Sequence, residues 1–195
     1  MTLRLVLASA SPRRLSLLAQ IGLTPSMVVA ADLDESNLAG ELPGAYVTRL
    51  AEAKARAVAA QHVDALVLGA DTAVACGRRI LPKAEDEKTA ADCLRLLSGR
   101  SHRVHSAIAV VAPGGILRQR LVTTRVTFKR LDNQETDGYL ASGEWQGKAG
   151  GYAIQGLAAA FVSDIQGSYS AVVGLPLFET SQILRGLGLR IGTPS

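Results

Sequence analysis

A strand-to-helix junction is written into residues Leu7–Arg14, LASASPRR. Ahead of it, Leu3–Leu7 is short and apolar enough for a buried strand. Behind it, Leu15, Leu18 and Ile21 recur at helical spacing. Ser11 suits an N-cap, and Pro12 suits the first helical position, where a missing N–H costs nothing. Arg13 and Arg14 then occupy the first turn, where the helix macrodipole disfavours each cation by roughly 0.3–1 kcal/mol. A helix tuned for stability carries Asp or Glu there. Free backbone N–H groups, small hydroxyls and two guanidiniums together make a seat for a polyanion such as phosphate. The plainer alternative is that both arginines extend from a surface helix into water.

The remainder of the chain supports a globular α/β protein. With 195 residues and 48% hydrophobic content it can bury a substantial core, as one domain over 1–195 or as two lobes sharing a sheet. Its formal charge of +4 is mild and spread along the sequence, and four Tyr, three Phe and one Trp leave little for stacking on bases. That pattern argues against a dedicated nucleic-acid binder and suits an acidic small molecule. Cys76 and Cys93 show no metal or redox spacing and read as small buried residues in a reducing compartment. With neither a signal-peptide pattern nor an apolar run long enough to span a membrane, the expected location is the cytoplasm.

Along the chain, Met27–Ala31 reads as a strand leading into the acidic cluster Asp32, Asp34 and Glu35. Such a cluster is a solvated loop unless another carboxylate faces it. A helix from Ala45 to Gln61 carries the stripe Val47, Leu50, Ala51, Ala57 and Val58, with Lys54 inside it. Lys54 is either a snorkelling stem or a lysine aimed into a cleft. Ala65–Ala70 is an apolar strand that delivers Asp71 and Thr72 and continues through Val74–Cys76 into a hairpin at Gly77. A carboxylate on a rigid buried strand suits a catalytic base or metal ligand.

Lys83 follows in a short loop before a helix over Glu85–Ser98. Strands Arg103–Ala112 and Ile116–Phe128 flank a Pro-Gly-Gly turn. His62, His102 and His105 read as surface or edge residues, and the odd spacing of the last two places them on opposite strand faces. Asp132 and Glu135 form a capping-box pattern for a short helix. The run Gly147–Gly156, GKAGGYAIQG, implies tight turns or close approach to a ligand, with Lys148 and Gln155 as its reaching polar side chains. Ala158–Ile165 is read as a strand, Gly167–Ser170 as a turn, Pro176 as the start of a last helix, and 188–195 as a loose tail.

No P-loop, GxGxxG, HExxH, CxxC pair or GxSxG is present. What stands out is a set of cations (Arg13, Arg14, Lys54, Lys83), the strand-end acids Glu35 and Asp71, and the amide of Gln155. Phosphoanhydride cleavage needs this inventory. A divalent cation held by carboxylates offsets phosphate charge, a carboxylate takes a proton from water, and cationic side chains stabilise the leaving pyrophosphate.

The segments LASASPRRLSLLAQIGL, LGADTAV and GYAIQG…GSYSAVVGLPL, in this order and spacing, resemble the Maf family of nucleoside triphosphate pyrophosphatases. The match covers about Leu3 to Leu187. The resemblance implies an elongated mixed sheet flanked by helices, with a cleft between two lobes, as in the inosine-triphosphate pyrophosphatase superfamily. It also implies hydrolysis of a nucleoside triphosphate to monophosphate and pyrophosphate with Mg²⁺ or Mn²⁺. Asp71 would be the general base, and Glu35 and Asp71 would hold metal or, in the case of Glu35, only order water. Arg13, Thr72 and Gln155 would govern substrate choice, and Ser9, Arg14, Lys54 and Lys83 would line the phosphate site.

Thr after the catalytic Asp, together with IQG, resembles the branch acting on dTTP and UTP. The branch acting on 7-methyl-GTP has Gln and Glu at those places. One departure stands out: the family usually reads Lys-Pro after the hairpin, whereas here Pro82 precedes Lys83 and Ala84 follows it. A homodimer would follow the family's habit, while a stable nucleic-acid or membrane partner is not expected. The resemblance suggests nucleotide house-cleaning. The alternative is a nucleotide-binding regulator of cell division without essential turnover.

Overall fold

The computed structural model describes residues 3–191. Strand β1 (Arg4–Ala8) runs into helix α1 (Pro12–Gln20), β2 (Met27–Val28), α2 (Pro43–Ala59) and β3 (Ala65–Cys76). β1 lies between β2 and β3 and is parallel to both. Alternate residues of β1 and β3 face opposite ways. Leu5, Leu7, Leu66 and Leu68 pack with Leu17 and Leu18 of α1, whereas Val6, Ala8 and Val67 pack with Val58 of α2. The two crossover helices therefore cover opposite sheet faces. Strand order reverses between β1 and β3, and the point where β1 ends while β3 continues opens the kind of crevice in which α/β sheets seat ligands.

The rest of the sheet is antiparallel. β4 (Arg79–Ile80) closes a hairpin on β3, and β6 (Ser101–Val111), β7 (Leu117–Phe128) and β9 (Val162–Gln166) extend it to the order β2-β1-β3-β6-β7-β9. Because β3 pairs β1 through Ala65–Gly69 and β6 from Val67 to Ala75, one strand joins the parallel and antiparallel halves. A separate two-stranded sheet pairs β5 (Lys83–Ala84) with β8 (Lys148–Ala149). Helices α3 (Glu87–Leu97), α4 (Asn133–Ser142), α5 (Tyr169–Val173) and α6 (Leu177–Gly186) complete the fold. The expected mixed sheet flanked by helices is thus present. No helix among the described residues is long and apolar enough to cross a membrane.

Several local expectations change. β2 is two residues long, because the chain leaves the sheet edge after Val28 and Val29. In α1 the buried pair is Leu17 and Leu18, and Leu15 is exposed. In α2 the stripe runs through Ala55 rather than Ala57, which is exposed, because Ala55 packs directly over Gly69. Residues Leu157–Phe161 form a 3-10 turn before β9 starts; Ala158 and Phe161 are buried at its three-residue period. The Gly167–Ser170 turn ends in a helix, because the Ser168 side chain caps α5 by accepting the Ala171 N–H. Of the expected tail, Leu189 donates its N–H to Leu184, and Leu189 and Ile191 pack on the core. Residues 192–195 lie outside the described region.

His102 is the largest departure. It is 2% exposed, sits edge-on to Phe128 and Tyr152, and its Nε2 is 2.8 Å from the Tyr152 hydroxyl. The strand alternation that separates it from His105 turns it into the core. Burial pushes its pKa down to about 4. Below the unfolded value of about 6.5 the unfolded chain therefore takes a proton that the native state refuses, so stability falls with pH until about 4. Urea midpoints should show about 2 kcal/mol lost between pH of about 7 and about 5, and His102→Leu should flatten that segment of the profile.

Candidate active site

A cleft of about 440 Å³ opens past the carboxyl end of β1 and beside the middle of β3. Asp71 therefore lies within its strand and not at the end, because β3 stays paired with β6 beyond it and runs on to Cys76. Its α2 side is built around a buried lysine. α2 lies close on β3 because residue 69 is glycine, and that approach carries Lys54 to the level of Asp71. Lys54 Nζ donates to Asp71 Oδ1 at 2.7 Å and lies 2.6 Å from Glu35 Oε1. Lys83 donates to the other Glu35 oxygen at 2.8 Å. Of the two readings of Lys54, the structure selects the lysine aimed into a cleft: its side chain is 9% exposed. Burial pushes the Glu35 carboxyl up, but hydrogen bonds from Lys54 and Lys83 outweigh it and hold the group down at about 2. The loop bearing Glu35 is pinned by Tyr46, whose hydroxyl donates to the Glu35 carbonyl at 2.9 Å.

The α1 side presents the junction from Leu7 to Arg14. Ser11 has the extended backbone of an N-cap, but its side chain makes no capping bond; instead its N–H donates to Ser9 Oγ at 3.2 Å. Arg14 donates from Nη1 to Ser9 Oγ and from Nε to the Gly174 carbonyl, both at 2.9 Å. Burial lowers the Arg14 pKa, while the charge of Asp71 works the other way. Arg13, half-buried, is lowered by burial as well. Arg14 is thus fixed by neutral oxygens, which leaves its charge available to an anion.

Thr72 follows Asp71 and therefore points to the opposite sheet face. Its Oγ1 is 3.0 Å from Ser106 Oγ and 3.5 Å from Arg14 Nη2. Gln155, exposed, closes the cleft from the glycine-rich run, together with Lys148, Tyr152 and Ile154. All nine residues singled out in the sequence (Ser9, Arg13, Arg14, Glu35, Lys54, Asp71, Thr72, Lys83 and Gln155) line this one cleft. The Pro82–Lys83 departure leaves Lys83 within it, because β5 pairs with β8 and turns the side chain toward Glu35. Sequence reasoning did not place Ser106 and Gly174 at the site, nor give Lys148 a role there. Lys148 alone had a signal, its reach within a glycine-rich run.

Two carboxylates that meet one lysine nitrogen at ion-pair distance also offer converging hard oxygens. Such a donor set suits Mg²⁺ or Mn²⁺, which take one or two carboxylates and complete their shell with water and phosphate. Among the described residues no group of three or more His, Cys, Asp or Glu is placed to hold an ion unaided. Glu35 and Asp71 are the carboxylates of the cleft that could take part in holding one.

A family profile described as Maf-like protein matches residues 4–187. The chain belongs to the Maf family. This Maf chain is 66% identical over 184 residues to a dTTP/UTP pyrophosphatase of Paramagnetospirillum magneticum, covering 94% of this chain and 97% of the relative. It is 60% identical over 186 residues to a dTTP/UTP pyrophosphatase of Caulobacter vibrioides, covering 95% and 96%. A HAM1 protein of Coxiella burnetii shares the fold at a TM-score of 0.55 and 18% identity, over 95% of this chain and 100% of that one.

Proposed function

We propose that this Maf protein hydrolyses dTTP and UTP to the monophosphate and pyrophosphate, clearing unwanted nucleotides from the pool before they enter nucleic acid. The observation that carries the reading is the buried Asp71 carboxylate, framed in one cleft by Lys54, Lys83, Arg13 and Arg14, with Gln155 opposite. The nucleoside triphosphate enters with its phosphates against Ser9 and Arg14 on one wall and Lys54 and Lys83 on the other. Phosphate oxygens replace Glu35 and Asp71 as partners of the two lysines. Asp71, released from Lys54, accepts a proton from water as the water oxygen bonds to the α-phosphorus. The bond from the α-phosphorus to its bridging oxygen breaks, and pyrophosphate leaves with its charge met by the cations.

Glu35 and Asp71 would hold a divalent ion, Mg²⁺ or Mn²⁺, which supplies charge neutralisation on the phosphates and a more acidic water. Arg13, Thr72 and Gln155 select the nucleotide: an amide offers both a donor and an acceptor to the O4/N3–H edge of uracil or thymine. The reading includes a cytoplasmic location and a homodimer, without a stable nucleic-acid partner.

The test is pyrophosphate release from each NTP and dNTP with Mg²⁺ or Mn²⁺, for the wild type and Gln155→Glu. The wild type should favour dTTP and UTP, and the variant should lose about 10–100-fold of that preference relative to guanine nucleotides. A panel with no turnover overturns the enzyme reading. An unchanged preference removes Gln155 from base recognition.

A further inference from the structure

Gln155 has no hydrogen bond of its own among the described residues, so its direction is set by the backbone on either side. Both sides are tied to one support. Ahead of it, the Ala153 N–H donates to the Tyr139 hydroxyl at 3.0 Å. Behind it, the Leu157 N–H donates to Glu144 Oε2 at 2.8 Å. Tyr139 belongs to α4 and is 1% exposed; Glu144 follows α4 directly after its left-handed cap, Gly143.

Gly156 explains why Glu144 is needed there. It stands at the N-cap of the 3-10 turn Leu157–Phe161 and has no side chain with which to satisfy that turn's N–H groups. Glu144 does so from a distance. Its carboxylate also fills the hollow over Gly156: a Cβ on residue 156 would lie 1.9 Å from Glu144 Oε2 and 2.5 Å from its Cδ. Glu144 is not among the residues lining the cleft, so it reaches the substrate only indirectly: through this turn, or through its charge beside Lys148, a route that Glu144→Gln removes while keeping the acceptor.

We propose that Glu144 is a positioning residue for nucleobase choice, holding the turn that aims Gln155 by accepting the Leu157 N–H and occupying the space over Gly156. The inference rests on the reading of Gln155 as the base-recognising side chain. Without the Glu144 acceptor, the Leu157 N–H turns to water and the turn loosens on its Leu157 side, while the Tyr139 bond and the Gly156 N–H bond to the Ala153 carbonyl hold the side ahead of Gln155. The amide then swings off the base edge, while the phosphate wall on α1 and α2 stays in place. Tyr139 alone cannot prevent this, because its bond lies on the far side of Gln155.

The experiment compares Glu144→Ala, Glu144→Gln, Gln155→Ala and the double variant Glu144→Ala/Gln155→Ala. Each is assayed for kcat and KM with UTP and GTP and for inhibition by inorganic pyrophosphate, which has no base to read. Glu144→Ala should lower the UTP-over-GTP ratio of kcat/KM about ten-fold, mainly through the KM for UTP, and leave pyrophosphate inhibition at the wild-type level. Glu144→Gln should restore the ratio, because its amide oxygen accepts the same N–H. Adding Glu144→Ala to Gln155→Ala should cost no further discrimination. The inference is overturned if Glu144→Ala keeps the wild-type ratio while Gln155→Ala collapses it. It is equally overturned if pyrophosphate inhibition weakens in step, or if Glu144→Gln behaves like the alanine variant. A Gln155→Ala protein with the wild-type ratio overturns the base-reading assignment itself, and this inference with it.

Discussion

Asp71→Asn is expected to slow pyrophosphate release from UTP by about 10³-fold, within the roughly 10²–10⁴-fold range of a general base. The substitution is nearly isosteric, so volume and strand packing are kept. The amide oxygen still accepts from Lys54, and Lys54 keeps its ion pair with Glu35 at 2.6 Å. An amide cannot take the proton of the attacking water, and it is a poorer ligand for a divalent ion. The loss should therefore fall on kcat, with the KM for UTP within a few-fold of wild type. Single-turnover assays with the ion in excess separate the base from the ligand role. Full activity in this variant would remove Asp71 from the chemistry.

Gly69→Ala should destabilise the fold by about 3 kcal/mol and inactivate what remains folded, although the residue touches no substrate. A Cβ at this position would lie 2.4 Å from the Ala51 carbonyl oxygen and 2.7 Å from the Ala55 nitrogen. Those are backbone atoms of α2, not the tip of a side chain that can swing away. Relief requires α2 to lift from β3, and Lys54 lies on the same stretch of α2, one residue before Ala55. Lifting the helix opens the Lys54–Asp71 pair, so denaturant midpoint and kcat should fall together. A variant that keeps both would show that α2 can shift without cost.

Some of the nine cleft residues carry a local mark in the sequence, whereas Ser9 and Thr72 are named only by the family resemblance and local pattern leaves Lys54 and Glu35 open. Arg13 and Arg14 break the charge rule of a helix start, Asp71 interrupts an apolar strand, and Gln155 stands in a glycine run. His102 was misjudged because alternation assigns a strand residue to a face without saying what covers that face. Here Phe128 and Tyr152 cover it. Ala55 and Ala57 lie about 200° apart around α2, and it is Ala55 that faces Gly69 beneath the helix. The 3-10 turn at Leu157–Phe161 was hidden because a short apolar run suits strand and helix alike.

What the sequence by itself determined is local and periodic. It contains the strand–turn–helix at LASASPRR, the alternation that sends Asp71 and Thr72 to opposite sheet faces, and the capping box at Asp132 and Glu135. These follow from contacts among near neighbours, which spacing encodes. The tertiary structure alone decided which distant groups meet: Glu35 with Lys54 and Lys83, Arg14 with the Gly174 carbonyl, and Glu144 with the Leu157 N–H. The Glu35 pairs depend on how closely α2 sits on β3 and on which residues of β5 and β8 pair; the other two depend on how α1 meets the end of α5 and how the end of α4 meets the 3-10 turn. All are set by packing and register between segments that local spacing does not relate.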